Sequence, residues 1–444
     1  MTPAPTGQAD DRQTSAPAPG RRPVRTLTSG RTPTTAVVWV TFAVVHLWIA
    51  FCGVVWIPQE VFWDLSLYRS WISEGLLSGH WPVLDEPWVY PAGALVPLLA
   101  VGALLGGDDT AFAAGWTVLV TALNLVTVAW LLRRPGGRAA ATWWMAFVLA
   151  LGPVAVGRLD ALVPPLAILA LLAVARRPRV AAVLLTVGAW VKVAPGALLL
   201  PVVAALRRPW RDAVVPALVV SALVVGTVVA LGGAGHLTSF LSAQGGRGMQ
   251  LEAVGASPWL LWGLFSPSVE RAFDPDIITF EVYGPGVTAA VLVLDVVFVV
   301  ATAVTAWLVW RRRRGGADPL PAPELLARGS LLVMLTLIVT NKVLSPQYIV
   351  WLVAPVAVAL ALGLPGWRRT AWSVLAVATA TQVVFPWLYD DVIDGWPFAT
   401  LVLVARNVAL VVLWVGAARA CLRPPSAVEE PGQPSRTEPA AVGA

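Results

Sequence analysis

Apolar runs of about 20 residues recur along this chain, and they constrain its fold more than any other feature. Residues 213–232, 286–310 and 397–420 are three examples. An apolar helix of this length spans the hydrocarbon core of a bilayer and satisfies its backbone hydrogen bonds within one segment. Hydrophobic residues make up 57% of the chain and charged residues 13%, whereas about a quarter of a soluble domain is charged. The sequence therefore predicts an all-α polytopic membrane protein.

About 12 transmembrane helices are predicted, and arginine-rich connections orient them. The predicted spans cover residues 35–57, 91–107, 110–132, 139–157, 160–175, 180–206, 213–232, 286–310, 325–341, 347–364, 369–388 and 397–420. The connections RRPGGR (133–138), RRPR (176–179), RRPWRD (207–212) and RRRR (311–314) favour the cytoplasmic side, where basic residues accumulate. Two large loops, residues 58–90 and 233–285, then lie outside the cytoplasm.

Residues 180–206 have two possible topologies. If the three connections 133–138, 176–179 and 207–212 are all cytoplasmic, this segment is a hairpin of two half-length helices, and one of 91–107 and 110–132 is re-entrant. Alternatively, residues 180–206 form one broken helix about 40 Å long, which is enough for one tilted span. Both topologies leave the two large loops outside.

The two ends of the chain differ from its centre in composition. Residues 1–34 and 423–444 lack an apolar core, which predicts disordered cytoplasmic tails around a transmembrane domain of residues 35–422. The net charge of +6 follows from the basic connections, so the expected partner is a lipid bilayer and no nucleic acid is expected. Cys52 and Cys421 both lie in or near predicted spans, and no disulfide framework is indicated.

Lys192 lies within an apolar segment and is one of only two lysines among 31 basic residues; the other is Lys342. A lysine at membrane depth costs about 2.5–3.5 kcal/mol on insertion scales, so its presence needs a reason. Pro195 should break the helix there, and broken helices often line cavities. A compact ammonium in such a cavity can bind a phosphate as a point charge. The alternatives are snorkelling to the interface or a buried ion pair.

The first outer loop carries the sequence FWDLSLYRSW, which suggests a short amphipathic helix at the membrane surface. Asp64, in this stretch, is a candidate general base, because a carboxylate beside aromatic residues at the boundary can accept a proton. The alternative is a solvated loop residue. Tryptophans 56, 63, 71, 81 and 88 are expected to form an interface belt around this loop.

Metal binding is not expected from the sequence. No Cys/His cluster has the spacing of metal ligands. The nearest acidic pair in an outer connection, Asp390 and Asp391, is interpreted as a solvated turn. In GRGMQLEAVGASPW, Arg247 and Glu252 form either a solvated surface pair or part of a cavity wall.

The order of these motifs resembles the GT-C membrane glycosyltransferases, and most closely their family 87. The resemblance covers roughly residues 35–420. It rests on FWDLSLYRSW, VYPAGALVPLL, the long stretch from GRLDALVPP to GAWVKVAPG, GRGMQLEAVGASPW and LSPQYIVWLVAP. Family 87 commonly has Tyr-Pro-Pro where this chain has Tyr-Pro-Ala at 90–92, Gln at the position of Arg158, and Lys-Pro where Val193 and Ala194 here separate Lys192 from Pro195. It also usually has Glu-Ser at 252–253, where this chain has Glu-Ala.

The resemblance implies roles for particular residues. Asp64 would be the catalytic base, and Lys192, Arg247 and Lys342 would bind the phosphate of a lipid-linked donor. Residues implied to bind sugar or shape the cavity are Tyr68, Glu86, Tyr90, Arg158, Gln250, Glu252, Gln347 and Tyr348. No divalent metal cofactor is expected, because lysine and arginine would neutralise the phosphate.

The implied reaction takes place at the outer face of the cell membrane. A sugar, with mannose favoured, would pass from a polyprenyl-phosphate donor to a glycolipid or cell-envelope glycan acceptor, with inversion at the anomeric carbon. The alternative is a flippase or transporter of polyprenyl-linked sugars, which would need cavity cations but no general base. Transporters usually contain internal repeats, and none is evident in this sequence.

Overall fold

A computed structural model describes Thr2 and residues 33–275, 277–314 and 320–422. The first helices are α1 (Thr35–Ala50), α2 (Pro58–Val61), α3 (Trp63–Ser78), α4 (Leu95–Leu105), α5 (Asp109–Leu131), α6 (Gly137–Leu151), α7 (Val163–Ala173), α8 (Pro178–Val191), α9 (Ala194–Ala197), α10 (Leu199–Ala205) and α11 (Val215–Ala230). They are followed by α12 (Ser239–Gly245), α13 (Ser257–Trp262), α14 (Val287–Arg314), α15 (Ala322–Val339), α16 (Val353–Ala361), α17 (Trp367–Gln382), α18 (Tyr389–Ile393) and α19 (Pro397–Leu422). The predicted tails lie outside the described residues, except for Thr2, Pro33 and Thr34.

Seven helices in the described part of the chain are long and apolar enough to cross a membrane. They are Thr35–Trp56, Asp109–Leu131, Gly137–Ala155, Trp210–Ala230, Val287–Arg313, Ala322–Val339 and Pro397–Leu422. Five shorter apolar helices accompany them: Ala92–Leu105, Leu159–Ala173, Pro178–Val191, Ala194–Ala205 and Pro346–Ala361. The structure confirms an all-α polytopic membrane protein, and the number of about 12 spans stays a prediction.

The five shorter helices share a structural reason for their length. Each has one end at the wall of a large cavity, which is lined by Pro91, Arg158, Lys192, Ala194 and Pro346 at or next to those ends. Four of the five begin at the cavity, so their N-terminal N–H groups lie near it. The cavity therefore cuts into the bundle and truncates the helices that meet it.

The structure answers the question about residues 180–206. Arg179, at the start of α8, contacts Asp212 (Nε to Oδ1, 3.3 Å), and Trp190, near its end, contacts Ser221 of α11 (Nε1 to Oγ, 3.1 Å). Helices α8 and α11 therefore run side by side in the same direction, so the chain between them must return. Helices α9 and α10 make this return, and the segment is a hairpin with its tip at Lys192.

Arginines cluster at the helix ends that lie away from the cavity. Arg134 donates to the carbonyl of Leu172 (3.3 Å), Arg328 to that of Ala420 (2.8 Å), and Arg313 to that of Leu206. Cations at these positions satisfy the unpaired carbonyls of helix C-termini. One end of the bundle is thus basic and the other contains the cavity.

The two large loops contain regular structure. The first has the predicted helix, α3, which buries Leu65, Tyr68 and Ile72 and leaves Leu76 and Leu77 exposed. The second contains an antiparallel hairpin of β1 (Glu270–Asp274) and β2 (Thr279–Tyr283), in which Glu270 lies opposite Tyr283. This hairpin was not predicted, because the alternation of its side chains is short and weak.

Candidate active site

A cavity of about 930 Å³ lies at the opposite end of the bundle from the arginine-rich helix ends described above. Of the 12 predicted site residues, 11 line it: Asp64, Glu86, Tyr90, Arg158, Lys192, Arg247, Gln250, Glu252, Lys342, Gln347 and Tyr348. Tyr68 is the exception. It is buried behind the wall, and its hydroxyl lies 3.2 Å from that of Tyr90. Loops and helix ends far apart in sequence are therefore brought together in one cavity, and the roles of these residues stay a prediction.

Asp64 is in the first turn of α3 and forms an ion pair with Arg158. The Asp64 side chain remains 20% exposed, and it faces the cavity. Burial raises the pKa of the Asp64 carboxyl, and the guanidinium of Arg158 opposes this effect. Close approach of the two segments requires Gly157, because a Cβ there would lie 2.2 Å from the Phe62 ring. The site thus presents an oriented carboxylate whose basicity is enhanced by burial.

Lys192 is held by a carboxylate that the sequence reasoning missed. Its Nζ lies 3.1 Å from Oδ2 of Asp160, whose side chain is 2% exposed. The other oxygen of Asp160 accepts a hydrogen bond from Trp351 Nε1 at 2.8 Å. The rings of Tyr90 and Tyr348 lie 4.8 and 5.5 Å from Nζ. The buried ion pair considered from the sequence is therefore present, and Lys192 also faces the cavity.

The base and this lysine are linked through one short segment. Arg158 is extended (φ −139°, ψ 158°) and Asp160 follows two residues later. Arg158 reaches Asp64, and Asp160 reaches Lys192. The four side chains carry two positive and two negative charges, so this buried cluster is neutral. An aspartate within the otherwise apolar LDALVPPLAILALLAV run was the available sequence signal for Asp160.

Lys342 and Arg247 form a second basic region of the cavity wall. Lys342 Nζ lies 2.9 Å from Oδ2 of Asp295 and donates to the carbonyl of Gly245 at 3.1 Å. Gln250 joins this region, because its backbone N–H donates to the carbonyl of Lys342 at 3.0 Å. Within the described residues, Arg247 Nε is buried without a hydrogen-bond partner. Asp295 was not predicted, although it is an acidic residue within a predicted span.

Glu252 forms an ion pair with Arg406 and not with Arg247, the partner considered from the sequence. Its Oε2 lies 2.9 Å from Nη2 of Arg406 on α19, and the two side chains are 2% and 0% exposed. Asn407 fixes the same loop by donating to Ser257 Oγ at 2.9 Å. Burial raises the pKa of Glu252 to about 6. The interpretation as a solvated pair of Arg247 and Glu252 is therefore wrong, because Glu252 is enclosed between the loop and α19.

The remaining predicted residues, which also line the cavity, are Glu86, Gln347 and Tyr348. Glu86 is 43% exposed and lies 3.5 Å from His80 (Oε2 to Nε2). Tyr348 stacks on Trp351 with ring centroids 4.3 Å apart, and Gln347 precedes it in the wall. In residues 33–275, 277–314 and 320–422 there is no group of three His, Cys, Asp or Glu side chains arranged to bind a metal ion.

One side of the cavity is apolar and continuous with the lipid-facing surface. Val193 next to α9 and Val299 on α14 both line it, and they are 53% and 66% exposed. Helix α14 packs against α10, α15 and α19 along one side, but only 6% of the residues in its apolar span are fully buried. A ligand with a long apolar tail can therefore leave its tail in the membrane while its charged end contacts the cations.

Comparison with known proteins gives one finding that bears on this site. A model of glycosyltransferase family 87 matches residues 88–334, which is more than half of the chain. The matched region includes Arg158, Lys192 and Arg247, whereas Asp64 and Lys342 lie outside it. No curated protein matches this chain.

Proposed function

The chain belongs to glycosyltransferase family 87, and from this premise we propose that it transfers a sugar from a polyprenyl-phosphate donor to a glycolipid or cell-envelope glycan. Mannose is the favoured sugar. The proposal rests on one observation above all: Asp64, Lys192, Arg247 and Lys342 line the same cavity, one side of which is apolar and exposed. A base, phosphate ligands and an exit for a lipid tail are the parts that this reaction needs.

Binding of the donor follows from the charges and dipoles of the cavity. Lys192, Arg247 and Lys342 supply positive charge, and four short helices begin at the wall with their N-termini towards it. Helix N-termini favour anions, so both features favour a phosphate. The apolar side near Val193 and Val299 suits an isoprenoid chain. The donor sugar is then directed towards Asp64.

The proposed reaction is a single displacement. An acceptor hydroxyl attacks the anomeric carbon while Asp64 takes its proton. The new carbon–oxygen bond forms as the bond to the phosphate oxygen breaks, and that oxygen keeps the electron pair. The cations stabilise the charge that develops on the leaving polyprenyl phosphate. Attack from the face opposite to the leaving group inverts the anomeric configuration, and the reaction needs no divalent metal for charge neutralisation.

The membrane orientation and the domain boundaries are part of the proposal. The arginine-rich end of the bundle is placed in the cytoplasm by the positive-inside bias, so the cavity faces outward from the cell membrane. Residues 35–422 then form the transferase domain, and residues 1–34 and 423–444 are cytoplasmic tails.

The test is sugar transfer from radiolabelled polyprenyl-phosphate mannose by purified protein in proteoliposomes. Asp64→Asn should reduce transfer by at least about 100-fold, because general-base catalysis contributes about 10²–10⁴-fold. Asp391→Asn is the matched control, since Asp391 lies outside the cavity lining, and it should transfer normally. Equal rates for wild type and Asp64→Asn would remove Asp64 from its role. No transfer by wild type from any polyprenyl-linked sugar would refute the proposed function, and flipping that survives Asp64→Asn would favour the flippase.

A further inference from the structure

We infer that Trp71, Trp88 and Tyr90 form a subsite for the second sugar ring of an oligosaccharide acceptor, an inference that rests on the proposed function. The sequence placed Trp71 and Trp88 in a belt at the membrane interface. In the structure both line the cavity. Together with Tyr90 they form the wall that we call the aromatic wall.

The aromatic wall is a compact cluster with fixed geometry. The Trp71 and Trp88 rings have centroids 5.5 Å apart at 87°, and the Trp88 and Tyr90 rings are 5.4 Å apart at 75°. Ser239 holds the backbone of Trp88 with two hydrogen bonds, one from its N–H (2.8 Å) and one to its carbonyl (2.9 Å). A rigid aromatic surface suits the apolar C–H face of a pyranose, and polar groups beside it can bind the hydroxyls.

Polar groups are present at this wall. Glu86 lines the same side and is half-exposed, so its carboxylate can accept hydrogen bonds from sugar hydroxyls. Trp88 is 3% exposed, so it supports the other two rings, against which it packs, and the half-buried Trp71 and Tyr90 provide the accessible aromatic surface.

The spacing of residues along α3 places the aromatic wall where the second sugar ring of an acceptor would lie when its terminal ring contacts Asp64. Asp64, Leu67 and Trp71 all line the cavity and follow one face of the helix at steps of three and four residues. Trp71 follows Asp64 by seven positions, which is a rise of about 10.5 Å along the helix axis. An acceptor whose terminal ring presents its hydroxyl to Asp64 therefore brings its next ring to Trp71.

The wall also lies on the acceptor side of the base. Tyr90 contacts Lys192 with its ring (4.8 Å) and contacts Trp71 with a centroid distance of 6.2 Å. It therefore separates the lysine from the two tryptophans. Because the nucleophile attacks opposite the phosphate, the acceptor approaches from the tryptophan side. The geometry thus favours an acceptor with at least two linked sugar rings.

The experiment compares octyl α-mannosides with one, two and three rings as acceptors, with polyprenyl-phosphate mannose as donor. In Trp71→Ala, the KM of the two- and three-ring acceptors should rise about tenfold, while that of the one-ring acceptor changes less than twofold and kcat is retained. Trp71→Phe keeps an aromatic face and should stay within about threefold of wild type. The control is Trp396→Ala, which removes a tryptophan that is 62% exposed and outside the cavity lining.

The outcomes separate this inference from the proposed function. If wild type transfers mannose but Trp71→Ala changes KM equally for all three acceptors, or for none, the subsite is refuted and the proposed function stands. If wild type transfers sugar neither to these three acceptors nor to cell-envelope glycolipids, from any polyprenyl-linked sugar, the proposed function fails. In that case, calorimetric binding of methyl mannobioside in the absence of donor still tests the aromatic wall. Binding to Trp71→Ala that is about tenfold weaker than binding to wild type supports the subsite. Equal binding to the two proteins, or no detectable binding to wild type, refutes it.

Discussion

Lys192 is the residue for which structural and functional roles can be separated most sharply. Its ammonium neutralises Asp160, and we propose that it also binds the donor phosphate. Two variants distinguish these roles: Lys192→Met alone, and the same change combined with Asp160→Asn. Both replacements approximately preserve side-chain volume, so the comparison isolates charge.

The expected stabilities follow from burial. The side chains of Lys192 and Asp160 are 15% and 2% exposed, and their charged atoms are 3.1 Å apart. Lys192→Met removes the ion pair of Asp160 and keeps the hydrogen bond that its carboxylate accepts from Trp351. Breaking a buried ion pair in this way costs about 3–5 kcal/mol. The double variant removes both charges. Its free energy of unfolding should return to within about 1 kcal/mol of wild type, because a neutral replacement of a buried pair is often nearly neutral in energy.

Transfer activity should behave differently. A hydrogen bond to a charged group is worth about 1.5–3 kcal/mol, so loss of the Lys192 cation should lower kcat/KM for the donor by about 10- to 150-fold. The double variant should recover stability and keep this loss. Unfolding in mixed micelles of increasing SDS fraction gives the first quantity, and transfer kinetics with radiolabelled donor give the second.

Two results would refute this reasoning. A double variant with wild-type kcat/KM would show that Lys192 has a structural role alone. A Lys192→Met variant as stable as wild type would contradict the buried ion pair itself.

Two further predictions concern neighbouring parts of the site. Burial raises the pKa of Glu252 from 4.5 to about 6, so the native state holds this proton more tightly than the unfolded state does. The stability contributed by protonated Glu252 is therefore complete below about pH 4.5 and is lost as the pH rises through 6. The loss amounts to about 2 kcal/mol. Glu252→Gln should lack this component in SDS unfolding measured at pH 4.5 and 7.5, and identical pH dependence in the two proteins would contradict it. Gly157→Ala places a Cβ 2.2 Å from the Phe62 ring. Such overpacking should cost about 1–3 kcal/mol and lower transfer by displacing Arg158 from Asp64, whereas Gly226→Ala, which meets open space, should do neither.

Much of the fold was predictable because insertion into lipid leaves few choices. Apolar runs such as 213–232 predicted helices directly, and the arginine-rich connections predicted which helix ends lie together. The topology of residues 180–206 could not be decided from the sequence. After a break at Lys192, the chain can either continue across the membrane as one span or turn back as a hairpin. Contacts of Arg179 with Asp212 and of Trp190 with Ser221 decide it, and tertiary packing of this kind leaves no local signal.

The candidate site was predicted better for its cations than for their partners. Lysines in apolar surroundings are conspicuous, whereas Asp160 and Asp295 each resemble an isolated acid until folding brings a lysine to them. Arg406 lies in the last span and was not predicted because its partner, Glu252, is 154 residues earlier. The tryptophans were assigned to the interface because sequence alone does not distinguish a ring facing lipid from one facing a cavity.

The ion pairs also indicate the order in which a phosphate would meet the cations. Asp160 is buried, so Lys192 is bound to a carboxylate that water does not screen. Asp295 is 49% exposed and lines the cavity, so its carboxylate can turn away from Lys342 without becoming an unpaired buried charge. An incoming phosphate therefore displaces Asp295 from Lys342 at lower cost than it displaces Asp160 from Lys192. Asp295 is on the lipid-facing helix α14, where the apolar side of the cavity lies. We therefore expect the donor headgroup to engage Lys342 first and to approach Lys192 as an additional ligand, while Asp160 keeps its place.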